Sequence, residues 1–158
     1  MTLTETKPDM TLAVNVALTG SIDSNGTLTF SNVNYTQGTT IPASTSVVDA
    51  NGDIDLTQMK KTHGYSDDTT ITFNLSGTIT DSNGNNVAFS YPEPASSAIT
   101  ISNGGNDSGF SAQFGGNVCI LIVNDLDKDA KHHDYALNIY ADYGQGISQP
   151  IDPAIINR

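Results

Sequence analysis

The sequence predicts an all-β protein, an antiparallel β-sandwich of eight to ten short strands with immunoglobulin-like or jelly-roll-like architecture. Three observations point to it. Apolar and polar residues alternate along most of the chain, as on strands with one buried face. Asn-Gly corners recur at Asn25-Gly26, Asn51-Gly52 and Asn83-Gly84, and this step suits tight reversals. Fifteen of the seventeen acids are Asp, the exceptions being Glu5 and Glu93; Asp favours turns and caps, so little helix is expected. A barrel of similar strand number fits the same alternation, which leaves the closure open.

Residues 1–9 are polar and end at Pro8 and Asp9, marking a flexible arm ahead of one domain over 10–158. A chain of 158 residues can bury a sizeable core without disulfides or metals. Leu12, Val14, Val16 and Leu18 face one way and Ala13, Asn15 and Ala17 the other. The first corner turns this strand back through Leu28 and Phe30, and a change of phase at Ser31 and Asn32 marks a bulge before Val33 and Tyr35. Residues 36–46, rich in Thr, Gly and Ser with Pro42, lack an apolar period and read as a loop. Val47 and Val48 lead through the second corner to Ile54 and Leu56, and a short helix is expected over 56–63, ended by Gly64.

Ile71, Phe73 and Leu75 give a clear strand, and Ile79 leads to the third corner. Val87, Phe89 and Tyr91 run back until Pro92 and Pro94, which cannot donate to a ladder. Short strands follow at Ile99 and Ile101 and at Phe110, Ala112 and Phe114. The unbroken run Val118, Cys119, Ile120, Leu121, Ile122, Val123 needs cover on both faces and marks a central strand. An acidic loop from Asn124 to Asp134 is expected to join it, as a long-looped hairpin, to a strand on which Tyr135, Leu137, Ile139 and Ala141 alternate.

Six Lys plus Arg against seventeen Asp plus Glu give a formal net charge of -11, which repels phosphate backbones and argues against nucleic acid. Cys119 lies in an apolar run and reads as a small buried hydrophobe. The amino terminus lacks the basic start, apolar core and cleavage site of a secretory signal. No apolar stretch approaches the ~20 residues that cross a bilayer, so no membrane association and a cytoplasmic location are expected.

The sharpest chemical signal is the acidic loop. Asp125, Asp127 and Asp129 alternate like the first ligands of a calcium loop, with Asp134 behind them and Asn124 offering a carbonyl. The fit to an EF-hand is poor, because Ala130 takes the glycine position, Ala136 takes the bidentate glutamate position, and Lys128 and Lys131 offset the charge. A solvated surface loop is the preferred reading and calcium the alternative. Asp49, Asn51, Asp53 and Asp55 are explained by turn chemistry. The adjacent His132 and His133 face opposite ways on an extended chain and read as exposed loop residues. No GxSxG, HExxH, paired cysteines or phosphate loop is present, so no enzyme and no cofactor are expected. Tyr65, Tyr135, Tyr140 and Tyr143 can pack a ring while exposing a hydroxyl, with core or edge packing preferred over ligand stacking.

Asp134-Tyr135-Ala136-Leu137-Asn138-Ile139, followed by Asp152-Pro153-Ala154-Ile155-Ile156-Asn157, resembles the carboxy-terminal signature of the bacterial DP-EP family. Glu93-Pro94 matches the second dipeptide of that name. The motif covers about a sixth of the chain. The resemblance implies a single β-sandwich of unknown function and adds no site. Independently, Pro153 restrains Asp152 toward an extended conformation, and Ile151, Ile155 and Ile156 call for a docking surface on the sheet or on a neighbouring subunit. The function expected is therefore non-enzymatic binding or self-assembly through strand edges and the carboxy-terminal tail. The alternative is a calcium-assisted ligand or carbohydrate-binding module built on the Asp125 to Asp134 loop.

Overall fold

The computed structural model describes residues 7–59, 64–66, 68–101, 110–125, 132–151 and 154–156. In chain order the strands are β1 (Met10–Ile22), β2 (Leu28–Ile41), β3 (Ile54–Asp55), β4 (Thr69–Thr80), β5 (Asn86–Val87), β6 (Phe89–Ser90), β7 (Ile99–Ile101), β8 (Phe110–Phe114), β9 (Ile120–Asp125), β10 (His132–Ala141), β11 (Ile147–Ile151) and β12 (Ala154–Ile156). They form two six-stranded sheets. The first runs β2-β1-β4-β9-β8, with β5 on β4; the second runs β11-β10-β12-β3, with β6 and β7 on β10.

The alternation read from the sequence becomes a division of faces. Leu12, Val14, Val16 and Leu18 on β1, Ile71 and Phe73 on β4, and Leu121 and Val123 on β9 are buried. They share one core with Tyr135, Leu137, Ile139 and Ala141 of β10. The Phe73 and Tyr135 rings, one from each sheet, meet at 5.5 Å. Full burial of each such side chain contributes roughly 1.5–3 kcal/mol.

The three corners share one construction. Asp23 Oδ1 accepts from the Asn25 and Thr27 amides, Asp49 Oδ1 from those of Asn51 and Asp53, and Asp81 Oδ1 from those of Asn83 and Asn85. In each corner the glycine alone turns to positive φ, at 82°, 85° and 80° for Gly26, Gly52 and Gly84. These are three-residue reversals with the left-handed residue last, in which the aspartate occupies amides the ladder leaves unpaired.

Several expectations change. The sheets are not wholly antiparallel: β1 pairs β4 in parallel from Met10–Thr69 to Ser21–Thr80, and β12 pairs β3 in parallel. Twelve strands form among the described residues where eight to ten were expected: the Val87 to Tyr91 run splits, β5 staying with β4 while β6 joins β10 in the other sheet, and the tail adds β11 and β12. β1, β2 and β4 are long rather than short. β2 continues through Ile41 into the expected loop, since pairing with β1 holds a segment that has no apolar period of its own. Ser31 is indeed the extra residue of a bulge, lying between the pairs Thr19–Asn32 and Gly20–Phe30. Of the short helix, one 3-10 turn forms at Leu56–Gln58, capped by Asp55, and residues 60–63 lie outside the described residues.

The closing hairpin is also overturned. β9 lies in the first sheet and β10 in the second, so the two strands do not pair as a hairpin; residues 126–131 lie outside the described residues. β9 begins at Ile120, and Val118 and Cys119 form a turn; the apolar run outlasts the strand because the Asn117 side chain accepts from the Cys119 amide. The tail docks on its own sheet, β12 lying between β10 and β3. The end of the amino-terminal arm is tied down as well. The Asp9 carboxylate accepts from Ser66 and Thr70 hydroxyls and the Pro8 carbonyl from the Ser66 amide; residues 1–6 lie outside the described residues.

Gly77 of β4 is set against β1. Its φ is +127°, and a β-carbon there would stand 1.8 Å from the Leu18 carbonyl oxygen. Gly77→Ala is expected to destabilise the protein by at least ~2 kcal/mol in urea denaturation, whereas Thr78→Ala on the exposed face should stay within ~0.5 kcal/mol.

Candidate functional site

Of the expected calcium ligands, Asp125 and Asp134 fall on strands of different sheets. Asp125 closes β9 with its side chain buried, one place beyond Asn124 and two beyond the core residue Val123. Asp134 lies on β10 in the other sheet and is exposed. Asp127 and Asp129 lie outside the described residues. Asn124 belongs to the strand rather than the loop, and its side-chain oxygen accepts from the Thr70 hydroxyl at 3.1 Å. Among the described residues, no three His, Cys, Asp or Glu side chains gather into a group that could hold a metal.

Thr69, Asp125 and His133 are the buried polar residues among those described. Cross-strand register places Thr69 and Phe110 on either side of Asp125, and the His133 ring meets Phe110 edge-on at 5.2 Å. His133 is thus not an exposed loop residue: β10 starts early enough that its alternation turns this side chain inward and Asp134 outward. Sequence reading missed this because loop and strand were divided after Asp134. The Thr69 hydroxyl has no hydrogen-bond partner among the described residues.

The second acidic series is used by the backbone. Besides the Asp49 corner, Asp55 Oδ1 accepts from the Thr57 amide and hydroxyl. Of the dipeptides, Glu93 and Pro94 are exposed at a cis peptide, and the Pro94 carbonyl accepts from the Ser97 amide. Asp152 and Pro153 lie outside the described residues.

Cys119 is half-buried rather than fully buried, donates weakly to the Phe89 carbonyl at 3.8 Å, and has its thiol pushed up by burial, away from the reactive thiolate. Tyr91 and Tyr135 are core residues. The Tyr91 hydroxyl donates to the Phe73 carbonyl at 3.2 Å and that of Tyr135 to the Gly52 carbonyl at 2.8 Å. Tyr65, Tyr140 and Tyr143 remain partly open.

The first sheet turns an uncharged face outward. Asp125 is the one charged residue in β1, β2, β4, β8 and β9, and it points inward. The solvent side carries Thr11, Asn15, Thr72, Asn74 and their neighbours in register, with β2 at one edge and β8 at the other. Sequence reading had the signal, a lack of charge across three long segments and two short ones, but not the pairing that assembles them into one face. No helix among the described residues is long and apolar enough to cross a membrane.

Burial raises both core tyrosine hydroxyls well above their ordinary range, and neighbouring Cys119 and Tyr35 (for Tyr91) or Tyr35, Tyr91, Asp53 and Asp49 (for Tyr135) add to it. A raised folded-state value stabilises the protein fully below the unfolded tyrosine value of ~10, and that contribution is lost as pH climbs above it. In an alkaline titration, Tyr91 and Tyr135 are expected to ionise only together with loss of the near-ultraviolet dichroism, and Tyr91→Phe should lessen the alkaline sensitivity while costing about 1 kcal/mol at neutral pH. No protein-family model matches the chain and no curated protein matches it.

Proposed function

We propose that this is a non-enzymatic cytoplasmic β-sandwich protein that works by binding or self-assembly, with the outer face and β2 edge of the first sheet as its contact surface. One observation carries the reading: a chain of formal charge -11 keeps that whole face free of charged side chains. Interface cores are depleted of charge because an ion buried there without a partner is costly. Repulsion between acidic copies is weakest where no carboxylate stands. β2 adds an edge of fourteen residues without Lys, Asp, Glu or Pro, although charge and proline are the usual guards of an exposed edge. The tail is the weaker candidate for a contact surface, since β12 pairs with β10 and β3. Membership of the DP-EP family is part of the same proposal, supported by the Tyr135, Leu137, Ile139 pattern and the Asp152-Pro153 tail sequence.

The calcium-assisted module has one observation on its side. The Thr69 hydroxyl, without a hydrogen-bond partner among the described residues, stands in register with Asp125, where the acidic loop begins. Calcium binding through this loop would raise the melting temperature, and Asp127→Asn with Asp129→Asn would abolish the rise.

Sedimentation velocity over a range of concentrations tests the leading reading. Self-association is expected in the parent, and a monomer at every concentration is expected for Asn15→Lys with Asn34→Lys at unchanged melting temperature. A parent that is monomeric throughout would count against assembly.

A further inference from the structure

The second sheet offers a different kind of surface. Tyr140 of β10 lies two residues past the buried Ile139–Ala141 alternation's outward neighbour Asn138, so its ring belongs to the outer side. Cross-strand register sets a serine on each flank, Ser90 of β6 and Ser148 of β11. Two adjoining depressions share Tyr140 and Ser90. One, of about 450 Å³, is lined also by Tyr91, Pro92, Glu93 and Ser148; the other, of about 380 Å³, by Phe89, Val118 and Asp142 among others. Each falls in the size range of small-molecule sites.

The tyrosine is held in place. A β-carbon on Gly146 would stand 2.6 Å from Tyr140 Cε2 and Oη, so the Gly146 backbone lies against the hydroxyl end of the ring. The Ser90 hydroxyl donates to the Tyr91 carbonyl at 2.9 Å, which leaves its oxygen as an acceptor. The lining thus combines a half-open aromatic ring, serine oxygens and two exposed carboxylates, Glu93 and Asp142.

We propose that this groove binds a neutral sugar, stacking the apolar face of a pyranose on Tyr140 while its hydroxyls donate to Glu93, Asp142 and the serines. The carboxylates exclude an anion. An organic cation is best held by several open aromatic faces, and here the Tyr91 ring is buried, its hydroxyl tied to Phe73. Acceptor oxygens around one aromatic platform match the donors of a polyol. This site is separate from the uncharged face of the first sheet and stands whether or not that face mediates assembly.

Titration of the full chain with cellobiose and with maltose, followed by amide proton–nitrogen spectra, tests the assignment. Saturable shifts are expected at Ser90, Glu93, Tyr140 and Ser148 for at least one sugar, with a dissociation constant on the order of millimolar. Tyr140→Ala should weaken binding about tenfold, and Tyr140→Phe should retain most of it because the ring remains. Should Tyr140→Ala fail to fold, the exposed Glu93→Gln and Ser148→Ala carry the test with an expected weakening of about threefold each. No saturable shift with either sugar, shifts confined to another surface, or tighter binding of tetramethylammonium than of both sugars would overturn the proposal.

Discussion

The parallel ladder between β1 and β4 is the constraint on which the rest of the structure depends. Its register sets Leu12, Val14, Val16 and Leu18 level with Ile71, Phe73, Leu75 and Gly77. Side chains alternate with a period of two, so a slip of one residue would carry threonines and asparagines into the core and leucines into water. β2 and β9 are laid against the outer edges of this pair. The second sheet is keyed to the same residues, since Tyr135 packs its ring on Phe73 and Tyr91 donates to the Phe73 carbonyl. Parallel neighbours cannot be joined by a tight hairpin and need a crossover. Here the crossover runs through β2, the Asp49 corner and β3, and because β3 belongs to the second sheet, the connection also ties the sheets together.

Acidity in this protein is organised by position along the strands. Asp23, Asp49 and Asp81 sit at corners, where a carboxylate can accept from two amides that would otherwise lack partners. Strand interiors in the first sheet are left without charge apart from the inward Asp125. A strongly negative molecule therefore presents one uncharged surface, on which Ile120 and Ile122 stand beside hydroxyls and amides such as those of Thr72 and Asn74. The second sheet differs in kind: its outer side has an aromatic ring bordered by serines and carboxylates.

The family-like motif also acquires a physical account. Tyr135, Leu137 and Ile139 are the buried side of β10, so the pattern follows from core packing. Asn138, between two of them, donates to the Ser97 carbonyl and the Thr100 hydroxyl, binding the β7 region to β10. Such a motif reports architecture; the outward Tyr140 and Ser148 lie between its two halves.

What the sequence determined by itself was local. Alternation identified the buried faces of β1, β4 and β10 and the partly buried, core-facing side of β8, the Asp-x-Asn-Gly steps located all three corners, and the change of phase at Ser31 located a bulge. Each depends on interactions within a few residues, which composition and spacing encode directly. Partner choice was decided only in the tertiary structure: the parallel β1–β4 ladder, the extension of β2 through Ile41, the placing of β9 and β10 in different sheets, and the burial of His133 against Phe110. The same holds for the Tyr140 groove, whose lining comes from segments around residues 90, 118, 140 and 148. Strand pairing is set by the free energy of contacts between distant segments, and the short-range pattern that makes a strand is the same whichever neighbour it finds.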